Sequence, residues 1–296
     1  MKIFITGANG FLGQHLAIFL ATNHFNVIAS GRNNSAFSDF PTIHYVSLEL
    51  TDSEAVMQLL QEFQPNIIIH AAAMSKPDMC NIEREKCILN NVTATEYLVR
   101  EANVIGAKVI YISTDFVFGE GGPHSELDTP APLNFYGESK LLAEKIVLSI
   151  SEKNAVMRPV FIYGKQLEGM KPTFLHWVKN NLQQGKKIKV VSDQFRTPTY
   201  VIDLCKGIAS MIQKNVTGIY HLAGSEILSP YQMAITVADV LKLDKSLIEN
   251  VTSQTFNEPV VRAKKSGLII SKAQLELGYQ PINFTEGVRL SVSNFN

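Results

Sequence analysis

A tyrosine and a lysine stand four residues apart in the segment NFYGESK, residues 134–140, and could form an acid–base pair. On a helix, this spacing places the side chains of Tyr136 and Lys140 on one face. A free phenol loses its proton only near pH ~10, and a neighbouring ammonium group favours the phenolate. Such a pair could deliver a proton to a carbonyl oxygen. The spacing alone is more typical of an ordinary helix start, with a packed tyrosine and a solvated lysine, so catalysis needs support from other motifs.

Glycines recur near the start of the chain, in ITGANGFLGQHL, where a short apolar run meets an amphipathic stretch. Glycines at such a junction allow a tight turn, a close approach of the backbone to a pyrophosphate and close packing of helix on strand. The N-terminus of the helix would offer unpaired N–H groups to the phosphates. Although turn glycines are the simpler explanation, the position after a strand predicts dinucleotide binding by Gly7, Asn9, Gly10, Phe11, Leu12 and Gly13.

The type of dinucleotide depends on the end of the second strand, which reads SGRNN. An acidic residue there would bind a ribose 2′-hydroxyl group, whereas an arginine suits a 2′-phosphate. Arg32 occupies the tip and has no acidic residue beside it. We therefore expect NADPH to be preferred over NADH, with a surface loop arginine as the alternative interpretation.

The composition limits the classes of partner. The chain has 296 residues with 27 Lys and Arg against 27 Asp and Glu, so a nucleic acid or an anionic membrane is not expected. The three cysteines follow no metal or disulfide spacing and predict buried free thiols without a metal site: Cys80, Cys87 and Cys205. The apolar N-terminal run is too short for a signal peptide, and no run approaches membrane-spanning length. A cytoplasmic protein is expected.

Short apolar runs alternate with longer amphipathic stretches through the first half of the chain. Uninterrupted Ile and Val runs predict strands covered on both faces, and their alternation with helices predicts a parallel sheet. We expect an α/β fold: a doubly wound parallel Rossmann sheet with a smaller C-terminal α/β substrate cap. The predicted Rossmann domain spans residues 1–158, with 199–224 returning to it, and the predicted cap spans 159–198 and 225–296.

Five motifs occur in one order: TGANGFLG, HAAA, ISTD, YGESK and RPVFIYG. Together they resemble the extended short-chain dehydrogenase/reductase family. STDFVFG, APLNFYGESKLLAEK and DQFRTPTYVIDL resemble its dTDP-4-dehydrorhamnose reductase branch most. Two positions differ from that branch, since Phe11 replaces a frequent glutamine and Glu49 replaces the usual aspartate.

The resemblance implies a role for each motif. Tyr136 would donate a proton to a substrate carbonyl, Lys140 would bind the nicotinamide ribose, and Thr114 would hydrogen-bond the carbonyl oxygen. Asn91 is expected at the cofactor site, where it would support a water-linked proton relay to the lysine, unless it is simply a polar helix residue. Further cofactor contacts are expected from Glu49, Ala71, Ala72 and Ala73, and further substrate contacts from Ser113, Asp115 and Phe116.

Arginines are the candidates for a diphosphate clamp on the substrate side, because their planar fork matches phosphate oxygens. Arg158 follows the sixth strand and Arg196 lies in DQFRTP, where it could equally pair with Asp193. Arg262 is a similar candidate. Trp177 is expected to pack in the core, with base stacking as the alternative. His70 is interpreted as a hydrogen-bonded histidine at a strand end rather than a ligand.

These motifs favour an NADPH-dependent reductase of a nucleotide-linked 4-keto-6-deoxysugar. A nucleotide-sugar epimerase is the second hypothesis, favoured by Phe11. The third belongs to another class, because HAAAM followed by KPD also resembles the non-catalytic regulatory beta subunit of methionine adenosyltransferase. Retained cofactor would support the epimerase, and a stoichiometric protein partner without turnover would support the subunit. The family resemblance implies a homodimer.

Overall fold

The computed structural model describes residues 1–167, 169–256 and 258–292, so the last four residues of the predicted cap lie outside it. The strands in these residues are β1 (Lys2–Thr6), β2 (Asn26–Gly31), β3 (His44–Ser47), β4 (Ile67–His70), β5 (Lys108–Ile112), β6 (Ala155–Arg158), β7 (Ile162–Tyr163), β8 (Ile188–Val191), β9 (Thr199–Tyr200), β10 (Gly218–His221) and β11 (Ile248–Val251). The helices are α1 (Phe11–Thr22), α2 (Ser53–Phe63), α3 (Pro77–Ile82), α4 (Arg84–Ile88), α5 (Ala94–Val104), α6 (Phe135–Ile150), α7 (Phe174–Gln183), α8 (Val201–Gln213), α9 (Pro230–Leu241), α10 (Ser271–Leu277) and α11 (Phe284–Val292).

Seven strands form one parallel sheet in the order β3–β2–β1–β4–β5–β6–β10. The first six strands follow the order of a doubly wound dinucleotide-binding sheet, which reverses direction between β1 and β4. Such a reversal opens a crevice at the carboxyl ends of the strands, where ligands bind in this architecture. The predicted Rossmann sheet is therefore confirmed.

Alternate residues of the central strands face opposite layers of helices, which explains their unbroken apolar sequences. In β1, Ile3 and Ile5 join one hydrophobic cluster, together with residues of α1 and α8. Phe4 joins a second cluster on the other face, with residues of α2, α5 and α6. All three side chains are fully buried, so β1 is covered on both faces of the sheet.

The chain after β6 adds a smaller layered unit and returns once to the main sheet. β10 pairs with β6 as the seventh strand of that sheet. β8 and β11 form a separate parallel pair, and α7, α9 and α11 share a third hydrophobic cluster with them. Sequence reasoning did not assign β8, β11 or α10. No helix in the described residues is long and apolar enough to cross a membrane.

Candidate active site

A cavity of about 790 Å³ opens at the carboxyl ends of the central strands. Seventeen of the predicted site residues lie on its wall: Gly7, Asn9, Gly10, Phe11, Leu12, Gly13, Arg32, Glu49, Ala71, Ala72, Ala73, Ser113, Thr114, Asp115, Phe116, Tyr136 and Lys140. The topology thus brings the glycine loop, the strand-end motifs and the YGESK helix to one place. Three predicted residues do not line it, namely Asn91, Arg158 and Arg196.

The glycine loop is shaped by close approach of backbone to backbone. Gly7 has a φ of +66°, and a Cβ atom there would lie 2.6 Å from the Ala72 nitrogen. A Cβ atom on Gly13 would collide with the Gly7 carbonyl oxygen. Larger residues at either position would push the loop out of the crevice.

The N-terminus of α1 faces the cavity and is suited to an anion. Gly10 is its N-cap, no side chain within the described residues caps it, and its first turn contains no acidic residue. The N–H groups of such a turn carry the positive end of the helix dipole. The loop and the helix start together fit a pyrophosphate.

Helix α6 places Tyr136 and Lys140 on its buried face. Asn134 caps the helix, and its Oδ1 atom accepts a hydrogen bond of 3.0 Å from the Gly137 N–H group. A Cβ atom on Gly137 would collide with the Phe116 carbonyl oxygen, so α6 packs directly on the segment after β5. The ring of Tyr136 contacts the ring of Phe116 edge to face, with 5.5 Å between centroids.

The tyrosine and the lysine are both buried, and burial dominates their pKa values. Burial raises the pKa of Tyr136, while a hydrogen bond with Thr114 partly opposes that rise. Burial lowers the pKa of Lys140 to about 7. Its Nζ atom donates a 2.8 Å hydrogen bond to the Ile112 carbonyl and lies 4.1 Å from the centroid of the Tyr111 ring. The pKa of Tyr136 therefore rises rather than falls, contrary to the expectation from the neighbouring ammonium group, because desolvation is the largest contribution.

The segment after β5 supplies the polar groups next to Tyr136. The Thr114 hydroxyl donates to Asp115 Oδ1 at 3.3 Å and accepts from the Phe116 N–H group at 3.2 Å. The Ser113 hydroxyl is buried and has no hydrogen-bond partner within the described residues. An unpaired hydroxyl on a cavity wall is available to a ligand.

Asp115 joins this segment to the C-terminal part of the chain. Its Oδ2 atom accepts a 3.0 Å hydrogen bond from the Ser266 hydroxyl and lies 3.8 Å from Arg196 Nη1. Burial raises the pKa of Asp115, and the Arg196 charge opposes that rise. The alternative pairing of Arg196 with Asp193 is not formed, since Asp193 binds Ser253 and Lys264.

Asn91 lies one layer behind the cavity wall, in a π-helical turn at Leu89–Thr93. Its Oδ1 atom accepts from the Met74 N–H group at 2.7 Å, and its Nδ2 atom donates to the Met74 carbonyl and the Ser139 hydroxyl. This corrects the expectation of a direct cofactor contact, because the amide is already occupied in fixing the segment after β4 to α6. Asn90, its neighbour, lines the cavity instead.

Arg158 points into the protein interior rather than toward the cavity. Its guanidinium group is buried and binds both carboxylate oxygens of Glu144, at 2.9 and 2.6 Å. It also lies 4.9 Å from the centroid of the Phe118 ring and does not line the large cavity. The prediction of a substrate contact is wrong for this residue, because β6 directs its side chain into the interior, where only a full carboxylate partner makes burial tolerable.

A smaller cavity of about 480 Å³ adjoins the first and shares five wall residues with it: Asp115, Phe116, Phe161, Phe174 and Arg262. Arg196 and Trp177 also line it. Trp177 is 40% exposed, so the expectation of core packing is wrong and the ring forms a wall. Arg262 pairs with Asp78 at 2.8 Å and with Glu258 at 3.0 Å. The combination of arginines and aromatic rings suits a phosphorylated, ring-bearing ligand.

His70 is fully buried between two hydroxyl groups, with Nδ1 2.7 Å from Thr6 Oγ1 and Nε2 2.9 Å from Thr95 Oγ1. It is therefore a hydrogen-bonded strand-end histidine. Phe161, which sequence reasoning missed, lines both cavities and has a φ of +37°. Non-glycine residues in this conformation concentrate at functional sites, and only its place in RPVFIYG could have signalled it.

Comparison with known proteins identifies relatives over the whole chain. The family model described as RmlD substrate binding domain matches residues 1–296. A dTDP-4-dehydrorhamnose reductase from Bacillus anthracis, solved in complex with NADP, superposes with a TM-score of 0.87 at 28% identity and 98% coverage of both chains.

Two curated relatives have different names. Methionine adenosyltransferase 2 subunit beta of Mus musculus is 33% identical over 305 residues, covering 99% of this chain and 88% of that protein. The probable low-salt glycan biosynthesis reductase Agl14 of Haloferax volcanii is 30% identical over 281 residues, covering 94% of this chain and 93% of that protein. By motifs, topology and these matches, the chain belongs to the RmlD substrate binding domain family of the extended short-chain dehydrogenases/reductases.

Proposed function

We propose that this chain is an NADPH-dependent reductase of a nucleotide-linked 4-keto-6-deoxysugar. The observation that carries the proposal is the meeting of Thr114, Tyr136 and Lys140 with the glycine loop in one cavity. An anion-binding helix start and a buried phenol on one wall are what ketone reduction by a dinucleotide requires. The similarity to an NADP-bound dTDP-4-dehydrorhamnose reductase supports the same activity.

Different residues on the cavity wall would contact different parts of the cofactor. The glycine loop and the start of α1 would hold the pyrophosphate, Arg32 the 2′-phosphate, and Lys140 the nicotinamide ribose. Ala71–Ala73 leave space beside β4 for the adenosine side, and Glu49 lies on the same wall. When bound, the nicotinamide supplies the hydride for the ketone carbon.

Tyr136 would supply the proton to the ketone oxygen. Because burial raises its pKa, the phenol stays protonated at neutral pH and is ready to donate. The phenolate left after transfer needs a nearby positive charge and a hydrogen bond. Lys140, whose pKa is about 7, and the Thr114 hydroxyl would provide them.

The second cavity would bind the nucleotide diphosphate. Arg196 and Arg262 can meet phosphate oxygens with planar forks, and Trp177 presents an exposed ring for a base. Asp115 and Phe116 lie between the two cavities, where the sugar would sit. Residues 159–198 and 225–296 would then act as the substrate cap.

A second candidate function is that of a subunit assembled with a methionine adenosyltransferase. It is favoured by the 33% identity to the mouse beta subunit over 99% of this chain. Turnover and assembly discriminate between the two: a reductase consumes NADPH with a ketosugar, whereas a subunit binds its partner in stoichiometric amounts without consuming NADPH.

The test follows NADPH fluorescence while dTDP-, GDP-, UDP- and CDP-4-keto-6-deoxysugars are added one at a time. We expect consumption with one nucleotide, and a loss of roughly 10²- to 10⁴-fold in Tyr136→Phe, the range typical of general acid catalysis. Tight NADPH binding without consumption on any member of the panel would contradict the reductase. An epimerase would instead convert a sugar without net NADPH oxidation.

Arg32→Ala tests the cofactor preference separately. Loss of a charge-assisted phosphate contact should weaken NADPH binding by roughly 10- to 100-fold and leave NADH binding unchanged. An unchanged ratio of the two dissociation constants would remove Arg32 from the 2′-phosphate site.

A further inference from the structure

The segment that carries Arg32, residues 32–36, is fixed by two side chains from outside it. One is Asn9, in the glycine loop, and the other is Tyr45, on β3. Arg32 and Asn33 lie on the wall of the large cavity. The segment therefore has a defined position at the edge of the proposed cofactor site.

Asn9 forms hydrogen bonds through both polar atoms of its side-chain amide. Its Nδ2 atom donates to the Asn34 carbonyl at 3.1 Å and to the Tyr45 hydroxyl at 2.9 Å. Its Oδ1 atom accepts from the Ala36 N–H group at 3.3 Å. Asn9 thus joins the glycine loop to the segment rather than presenting its amide to a ligand.

Tyr45 completes the connection. Its hydroxyl donates to the Asn33 carbonyl at 2.5 Å while accepting from Asn9. Its ring lies against Phe37, which is buried, with 6.2 Å between centroids. Burial raises the pKa of Tyr45, so the phenol remains a donor across the neutral range.

The space around these two side chains is filled. A Cβ atom on Gly31, the residue before Arg32, would lie 3.0 Å from Asn9 Nδ2 and 3.1 Å from Tyr45 Oη. A Cβ atom there would require the two polar atoms to shift by a few tenths of an ångström. The glycine in SGRNN leaves these two atoms in place.

We propose that Asn9 and Tyr45 are positioning residues for 2′-phosphate recognition, holding the backbone so that Arg32 meets the phosphate at little entropic cost. The inference rests on the proposed function to the extent that a nicotinamide dinucleotide occupies the large cavity. Two observations support it. The carbonyl oxygens of Asn33 and Asn34, which would repel a phosphate, are directed at the two side chains. Fixing a loop in its bound conformation also improves affinity by reducing the ordering needed on binding.

A merely structural anchor would behave differently. If Asn9 and Tyr45 only stabilised the fold, their loss would weaken binding of all adenosine dinucleotides alike. A positioning role changes the preference for the 2′-phosphate and leaves the rest of the cofactor contacts in place.

The experiment measures dissociation constants of NADPH and NADH for wild type and Tyr45→Phe, which keeps the ring on Phe37 and removes the hydroxyl. Adenosine 2′,5′-bisphosphate and adenosine 5′-monophosphate serve as fragment probes by competition. Tyr220→Phe is the matched control, because its hydroxyl is hydrogen-bonded to Glu276 and lies outside both cavities. Asn9→Ala is the second variant and removes three contacts to the segment and to Tyr45.

We expect Tyr45→Phe to lower the NADPH preference by roughly five- to tenfold with NADH affinity unchanged, the effect of one lost hydrogen bond. Asn9→Ala should lower the preference for NADPH further, and Tyr220→Phe should leave that preference unchanged. Equal weakening of both dinucleotides, or an unchanged ratio, would overturn the inference. If wild type itself binds neither dinucleotide, or prefers NADH, the proposed cofactor is wrong; if wild type prefers NADPH and Tyr45→Phe keeps that preference, only the positioning role is wrong.

Discussion

Two buried cations, Lys140 within α6 and Arg158 on β6 beside it, have different surroundings. Arg158 binds both oxygens of Glu144, and both side chains are 2% exposed. Lys140, one helical turn before Glu144, has a carbonyl oxygen and an aromatic ring as its described contacts. Burial lowers the pKa of Lys140 to about 7. Arg158 is paired with a carboxylate in the interior, whereas Lys140 lies on a cavity wall, where the charge of Glu144 only partly offsets its desolvation.

By this difference Arg158 is a structural charge, whereas Lys140 is a candidate for a functional one. Burying a charge costs several kcal/mol unless a partner compensates it. The Glu144–Arg158 pair meets that cost inside the protein. For Lys140, part of the cost of burying the charge remains. A ligand that places hydroxyl or phosphate oxygens beside its Nζ atom would reduce that cost. We expect substitution of Lys140 to affect activity and substitution of the pair to affect folding.

The largest effect is expected for Lys140→Met, which keeps the length of the side chain and removes its charge. Reductase activity should fall by roughly 10²- to 10⁴-fold, because the phenolate of Tyr136 loses its cation. The free energy of unfolding at pH 7 should stay the same or rise, since a buried charge is removed. Steady-state kinetics and urea unfolding measure the two quantities. A clear loss of stability would show that Lys140 is structural.

Glu144→Gln should lower the stability of the protein, in contrast to Lys140→Met. It leaves Arg158 as an unpaired buried charge, and the free energy of unfolding should fall by about 3–5 kcal/mol. The double variant Glu144→Leu with Arg158→Met is the control, because an apolar replacement of the whole pair should recover most of that loss. If the single and double variants lose equal stability, packing rather than charge explains the effect.

The same contrast shows what the sequence could predict. Gly7, Gly13, Tyr136 and Lys140 could be predicted as one group of site residues because their spacing is a local sequence pattern, and all four line the large cavity. The role of Arg158 could not be predicted, because a strand-end arginine gives no sign of whether it faces the crevice or the interior. Its partner Glu144 is 14 residues away on another element.

Partners far apart in the chain were beyond prediction. Asp115 accepts a hydrogen bond from Ser266, 151 residues later. The pairing of β8 with β11 likewise joins residues 188–191 to 248–251. Such contacts depend on how the C-terminal elements pack, and no local pattern of residue types encodes that arrangement.

The pKa of Lys140 also predicts how stability depends on pH. The pKa of Lys140 is about 7 in the folded protein against 10.5 in an unfolded chain. The unfolded state therefore binds more protons between these values, and stability should rise with pH from about 7 upward. Relative to Lys140→Met, the free energy of unfolding of wild type should increase by up to about 1.4 kcal/mol per pH unit. Urea unfolding at pH 7, 8 and 9 measures this slope, and parallel curves for the two proteins would show that the lysine is not desolvated.

The smallest effect is expected for two buried serine hydroxyl groups, of which one has hydrogen-bond partners and the other has none within the described residues. Ser113 Oγ is buried, lines the large cavity and has no partner within the described residues. Ser139 Oγ is also buried, but it donates to the Tyr136 carbonyl at 2.7 Å and accepts from Asn91 at 3.0 Å. Ser113→Ala should therefore stabilise the protein by about 1 kcal/mol and weaken ligand binding by roughly fivefold, because the hydroxyl satisfies its hydrogen bond only with a ligand. Ser139→Ala should instead destabilise the protein by about 1–3 kcal/mol, since Asn91 loses an acceptor. Thermal unfolding with and without NADPH and ketosugar measures both variants, and a loss of stability in Ser113→Ala would mean that an unpaired polar group on this wall does not identify a ligand contact.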